Sequence, residues 1–360
     1  MDNPGLPALD AKLFPIHSPR NIQYAGKEIH SMKVPTEAPI GILHGLQARV
    51  GARRMVSVLM FPLMALIWAP SAEAQQLGHK VLGSLGLFAG SQPDSGLYLV
   101  NQFASYSADE VFDRAGHPIP VGLDLHAWSN PVGFQVTFKP SRHSMYMNVS
   151  AAAPIAHVSL QINQPEASVD DFGFGDVYVQ PLKVGWKMTQ MDVVAGYSFY
   201  APTGLYIARA SGSLGQGQWT HEFSLGGMIY FDRAKTWSVS ALTSFDLNQH
   251  KEGIDITRGD TFQFQGGAGK TFRPPSKALQ AVSIGVAGYG LWQVQDDRGA
   301  ALPAALAGAR DLALGLGPEL DSTFAPIRSQ ITVRYCRDVA ATARPLGHIL
   351  VLQITILARR

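Results

Sequence analysis

Residues 219–231, WTHEFSLGGMIYF, decide the fold. Trp219, His221, Phe223, Leu225, Gly227, Ile229 and Phe231 alternate with Thr220, Glu222, Ser224, Gly226, Met228 and Tyr230. Successive side chains of a strand point to opposite faces, so the stretch predicts a strand with one apolar and one largely polar face. Residues 237–248, WSVSALTSFDLN, repeat the rhythm: Trp237, Val239, Ala241, Thr243, Phe245 and Leu247 alternate with Ser238, Ser240, Leu242, Ser244, Asp246 and Asn248.

Working outward, the same period gives about twelve strands, near 96–105, 132–138, 145–161, 174–186, 191–200, 218–231, 236–248, 261–272, 280–295, 312–320, 328–337 and 347–357. Their lengths cluster near the roughly 9–11 residues that cross a bilayer at a tilt. The connections KPSRHS, KMTQM, DRAKT, RPPSKAL and DSTFAPI are short, whereas 106–131, 162–173, 201–217, 249–260 and 296–311 are long. Alternating short and long links describe an up-and-down meander with two different ends, as in outer-membrane barrels with short periplasmic turns and longer external loops. Loops 106–131 and 201–217 are long enough to fold inward and gate such a barrel. Tyr197, Phe199, Tyr200, Trp219, Phe231, Trp237, Phe262, Phe264, Phe272 and Trp292 fall near strand ends, where interfacial girdles lie. Strand 174–186 and the last strand carry apolar residues in both registers, so alternation leaves their inward faces unassigned.

Composition agrees with this architecture. The chain of 360 residues is 46% hydrophobic but only 16% charged, against roughly 25% charged in a typical soluble domain. Ample apolar content and a net charge of +2 exclude disorder, and 29 basic against 27 acidic residues give no basic surplus for nucleic acid. One cysteine, Cys336, excludes a disulfide framework. Arg53 and Arg54 precede the apolar run 55–69, MVSVLMFPLMALIWA, and Ala72-Glu73-Ala74 follows, which reads as a signal peptide over 55–74 cleaved after Ala74. Residues 1–54 are then a disordered leader or an over-extended start, with Met55 or Met32 as the true initiator. Residues 75–94 form an N-terminal periplasmic segment and 95–360 the barrel. The mature chain keeps 22 residues of each charge and is formally neutral.

The stretches GDVYVQPLKVGW (175–186), GYSFYAPTGLY (196–206), WTHEFSLGGMIYFD (219–232), GDTFQFQGGAGKTF (259–272), GVAGYGLWQVQDD (285–297), GLGPEL (315–320) and RPLGHILVLQITI (344–356) resemble, in order and spacing, the outer-membrane family linked to the meta-pathway of phenol degradation. The resemblance covers about residues 85–357. It implies a transporter-like barrel in the outer membrane of a Gram-negative bacterium, passing aromatic or other hydrophobic compounds inward. It departs from the pattern at Cys336 within RYCRD and in lacking a terminal aromatic residue.

No catalytic chemistry is expected. The string Gly266-Gly267-Ala268-Gly269-Lys270-Thr271 ends like a phosphate-binding loop, but Phe264 stands where the first glycine is required and the string lies inside a strand. Its glycines are expected to let the strand bend. The eleven histidines show no metal-ligand spacing and no G-x-S-x-G string occurs, so neither cofactor nor metal is expected. The polar register is the candidate site: Glu222, Ser224, Tyr230, Ser240, Ser244, Asp246, Gln263, Gln265, Tyr289 and Gln293 are expected to line the lumen. Asp170-Asp171 and Asp296-Asp297 are expected in external loops as solvated charge or as divalent-ion sites beside lipopolysaccharide. Partners are then outer-membrane lipid and lipopolysaccharide, the barrel-assembly machinery and a small hydrophobic or aromatic solute, with no nucleic acid. A passive pore leads the functional readings. A non-conducting structural barrel comes second and a barrel-embedded hydrolase third, the last requiring a Ser–His pair within hydrogen-bonding distance near the outer rim.

Overall fold

The computed structural model describes residues 78–140, 145–164, 166–208, 213–303 and 306–360. The expected leader and signal peptide lie outside these residues. Among the described residues there are fourteen strands and no helix: β1 (Gly96–Phe112), β2 (Pro118–Ile119), β3 (Leu123–Phe138), β4 (Met145–Asn163), β5 (Glu166–Phe174), β6 (Val177–Lys187), β7 (Met191–Ala201), β8 (Thr220–Tyr230), β9 (Trp237–Asn248), β10 (Thr261–Phe272), β11 (Leu279–Gln293), β12 (Leu312–Phe324), β13 (Ser329–Thr342) and β14 (Pro345–Arg359). All pairings are antiparallel between neighbours, and β14 returns to β1 from Leu97↔Arg359 to Val111↔Pro345, which closes the sheet. β2 only caps β1, and β5 pairs the far half of β4 while β6 takes its near half. Twelve strands therefore form the wall, the number read from the sequence.

Outward side chains make a continuous apolar surface, including Val132, Phe134, Leu225, Ile229, Val239, Ile284, Val286, Leu352 and Ile354, all well exposed in the isolated chain. Inward positions of β8 and β9 carry Glu222, Ser224, Ser240, Ser244 and Asp246, all buried. Polar side chains are thus enclosed and apolar ones displayed, the inverse of a soluble protein and the arrangement of a barrel that spans lipid.

The two ambiguous strands have separate explanations. In β6 the register shifts between Val179 and Leu182, against both β4 and β7. This bulge moves the outward set from Val177 and Val179 to Leu182, Val184 and Trp186, and turns Lys183 inward. In β14 both faces are apolar because the inward Ile349 and Val351 join an internal cluster with Leu82, Ala104, Ala287, Tyr289, Leu291, Ala313 and Cys336. Cys336, the departure within RYCRD, is fully buried there.

Several strands run beyond the expected bounds. The stretch 106–131 is mostly β1 and β3, leaving 113–122 as the connection, so it is not a long gating loop. β13 and β14 meet at a two-residue turn, Ala343–Arg344, with Ala343 at φ 54°. Asp170 and Asp171 lie in β5 rather than in a loop, with Asp170 exposed as expected of solvated charge, whereas Asp297, beside the exposed Asp296, is buried and accepts the Gly259 amide at 2.8 Å.

Candidate functional site

Residues 75–94 are expected as an N-terminal periplasmic segment; of these, the described residues 78–94 run through the barrel interior. The segment enters at the short-turn end, where Lys187 pairs with Asp94 at 2.8 Å and Ser91 Oγ donates to Asp192 at 2.6 Å. Further in, the Gly90 amide donates to Ser240 Oγ at 2.7 Å. A Cβ at Gly90 would lie 1.9 Å from the Gly227 carbonyl oxygen, so only glycine brings the chain this close to the wall. The Leu87 amide donates to the Glu319 carboxylate, and the Leu85 amide to Gln265 Oε1 at 2.9 Å. Lys80 Nζ donates to Glu222 at 2.5 Å and to Ser244 at 2.9 Å, and at the long-link end His79 meets Asp176 at 2.8 Å.

All ten sequence-selected residues occupy the inward register. Glu222, Ser240, Ser244 and Gln265 bind the segment directly. Tyr230 reaches it through Asp192, to which its hydroxyl donates at 2.9 Å. Gln263 donates to Asp246 at 2.5 Å beside this row, and Ser224 bonds the Gly196 carbonyl at 3.4 Å. Tyr289 packs in the cluster around Leu82 and donates to Asp338 at 2.6 Å. Gln293 lies apart, under the long links, donating to Asp297 at 2.6 Å.

Sequence reading missed the opposite wall. Arg334 binds Glu319 through two nitrogens, at 2.6 and 2.9 Å, and donates to the Gly83 carbonyl at 2.9 Å. The signal was present in 313–321, where Ala313, Gly315, Gly317, Glu319 and Asp321 share one face, with the glycines making room and the carboxylates marking the inside. Lys183, which donates to the Ser91 carbonyl at 3.3 Å, was hidden by the β6 bulge. Tyr200, expected in a girdle, turns inward and stacks on His79 with centroids 4.7 Å apart. The glycines of the GGAGKT string leave room for Leu87, whose methyl carbons would lie 2.9 Å from a Cβ on Gly267 and 3.1 Å from one on Gly269; Gly285, opposite on β11, does the same at 2.7 Å. They accommodate the inner segment rather than merely bending the strand.

Over the long-link end, 202–208 and 213–219 fold onto Asp176, whose carboxylate accepts the Gly204 amide at 2.8 Å and the Gln216 amide at 2.6 Å. Burial opposes Asp176 ionisation, but the His79 ring and these two amides outweigh it and hold the carboxyl below its usual range. Lys251, beneath the same links, donates to the Gln216 carbonyl at 3.2 Å. Burial, with the Arg258 charge, brings its ammonium down to about 8. Among the described residues no group of three or more His, Cys, Asp or Glu is arranged to hold a metal.

The closed twelve-strand wall, apolar outside and polar within, defines an antiparallel β-barrel of the outer-membrane type. Residues 108–354 match the family described as "Putative MetA-pathway of phenol degradation", and the chain belongs to it. The crystal structure of an outer membrane channel from Pseudomonas putida F1 superposes with a TM-score of 0.63 at 13% identity, covering 77% of this chain and 99% of that one, and shares the fold. The β domain of the Bordetella autotransporter BrkA gives a TM-score of 0.46 at 10% identity, covering 73% of this chain and 100% of that one. No curated protein sequence matches the chain significantly.

Proposed function

We propose that the protein is an outer-membrane channel for passive entry of small hydrophobic or aromatic compounds, closed in this state by its own segment 78–94. The observation that carries the reading is the way this segment is held. Polar ties to Asp192, Ser240, Gln265, Glu222 and Asp176 alternate with small apolar contacts along the barrel. Hydrogen bonds of this kind exchange for bonds to water at a net cost of about 1 kcal/mol each, so the segment can leave a hydrated lumen without unfolding the wall.

The family description supports an aromatic solute. The displayed apolar belt supports insertion by the barrel-assembly machinery into outer-membrane lipid beside lipopolysaccharide, with the short turns toward the periplasm. A twelve-strand barrel lies between eight strands, which side chains fill, and sixteen to eighteen, which leave an aqueous channel. An occupied interior also favours a second reading, a structural barrel that never conducts.

Solute flux separates the two. Phenol or benzoate entry into proteoliposomes is expected to rise at least about tenfold with a chain lacking 78–93 over the intact mature chain. Equal, background entry through both favours the structural barrel.

A further inference from the structure

The outward face of the barrel carries an arrangement that the channel does not use. Ser107 on β1 and His126 on β3 are directly opposite in the sheet, and Ser107 Oγ lies 2.9 Å from His126 Nδ1. His126 Nε2 lies 3.0 Å from Asp124 Oδ1. Asp124 and His126 are two apart on one strand and so share a face. With Nε2–H directed to the carboxylate, Nδ1 is left as the acceptor facing the serine hydroxyl. These are the roles of nucleophile, base and orienting acid in acyl transfer, recognised by geometry rather than by sequence order.

Depth supplies the second observation. One row nearer the membrane, Trp128 lies 6.0 Å from Phe103, His157 and Phe172, an aromatic cluster of the kind that marks the water–lipid interface. Ser107 and His126 stand two residues beyond that row, about 7 Å along the strands. This places the hydroxyl level with the headgroups and ester linkages of surrounding lipid. No local sequence motif marks the trio, because two neighbouring strands bring Ser107 to His126 and Asp124.

We propose that Ser107, His126 and Asp124 form a lipid-facing acyl-ester hydrolase site at the long-link rim of the barrel. Ser107 Oγ bonds to the ester carbonyl carbon as its proton passes to His126 Nδ1. The tetrahedral intermediate collapses with cleavage of the carbon–alkoxy bond, and the proton goes to the departing alcohol. Water, deprotonated by the same nitrogen, attacks the acyl-Ser107 ester, releasing the carboxylic acid and restoring the serine. Asp124 acts through His126 as a positioning residue. The neighbouring strand amides are engaged in the ladder, and each missing oxyanion donor costs about 10²–10³ in rate, so turnover is slow.

A fluorophosphonate probe tests the site in the intact mature chain. Labelling at Ser107 is expected, abolished by Ser107→Ala and reduced at least about a hundredfold by His126→Ala. Fatty acid release from phosphatidylethanolamine–phosphatidylglycerol vesicles carrying lipid A, the acyl-ester lipid of the external leaflet, should follow the same order. Asp124→Asn should lower the rate and displace its pH profile, whereas Asp124→Glu should retain the wild-type profile. Channel conductance should be the same in all four variants, since the site lies outside the lumen. Labelling of Ser107→Ala equal to wild type overturns the proposal, and so does labelling without fatty acid release.

Discussion

The two halves of the barrel interior hold the same segment by different means. Along β8–β10 the contacts are polar: Lys80 on Glu222 and Ser244, the Leu85 amide on Gln265 and the Gly90 amide on Ser240. Along β11–β14 the wall presents Ala287, Tyr289, Leu291, Ala313, Cys336, Ile349 and Val351 to Leu82, with the Glu319–Arg334 pair as the polar tie of this half, on the Leu87 amide and the Gly83 carbonyl. The polar half loses little when water replaces the whole segment, because each group keeps a partner, but much when one partner of the enclosed Lys80–Glu222 pair is removed in place. The apolar half loses buried area outright and, in the proposed channel, sets the closed position. The segment is therefore anchored on one side and releasable on the other.

Substitutions on the two sides sharpen this contrast. Lys80→Met should have the larger effect. It removes the cation from the enclosed Glu222 carboxylate, and breaking one partner of a buried pair costs about 3 kcal/mol or more. Single-channel recordings should show open probability rising about a hundredfold, with heat-modifiable migration of the barrel unchanged. An unaltered closed state would place the hold elsewhere. Leu82→Ala acts on the anchored side, where deleting a buried leucine costs about 2–3 kcal/mol. It should open the channel by a smaller factor, and accessibility of residue 82 to a water-soluble reagent, after Leu82→Cys, should track the open fraction. An open probability unchanged by Leu82→Ala would show that the apolar half does not set the closed position.

The barrel itself was largely readable from the chain. In β8 and β9 every second residue is bound for lipid, so period two survives in the sequence and the inward row could be named. β6 resisted because the bulge at Gln180–Pro181 changes the phase in mid-strand. β14 resisted because its inner face meets an apolar cluster instead of water. Residues 78–94 have no periodicity of their own, since they run as successive turns (Ser84 on Val81, Ala89 on Gly86, Ser91 on Phe88) fitted to a surface made by other strands. Nothing local in such a segment distinguishes a linker from an insert. Glycines opposite Leu87 and Gly90 were the trace it left, and they are interpretable only once the partner is known.

Planar-bilayer conductance of the intact mature chain against the same chain lacking 78–93 tests the central claim most directly. Rare, brief openings from the intact chain and a steady conductance from the shortened one are predicted. Equal conductance from the two, or none from either, would contradict closure of the channel by its own N-terminal segment.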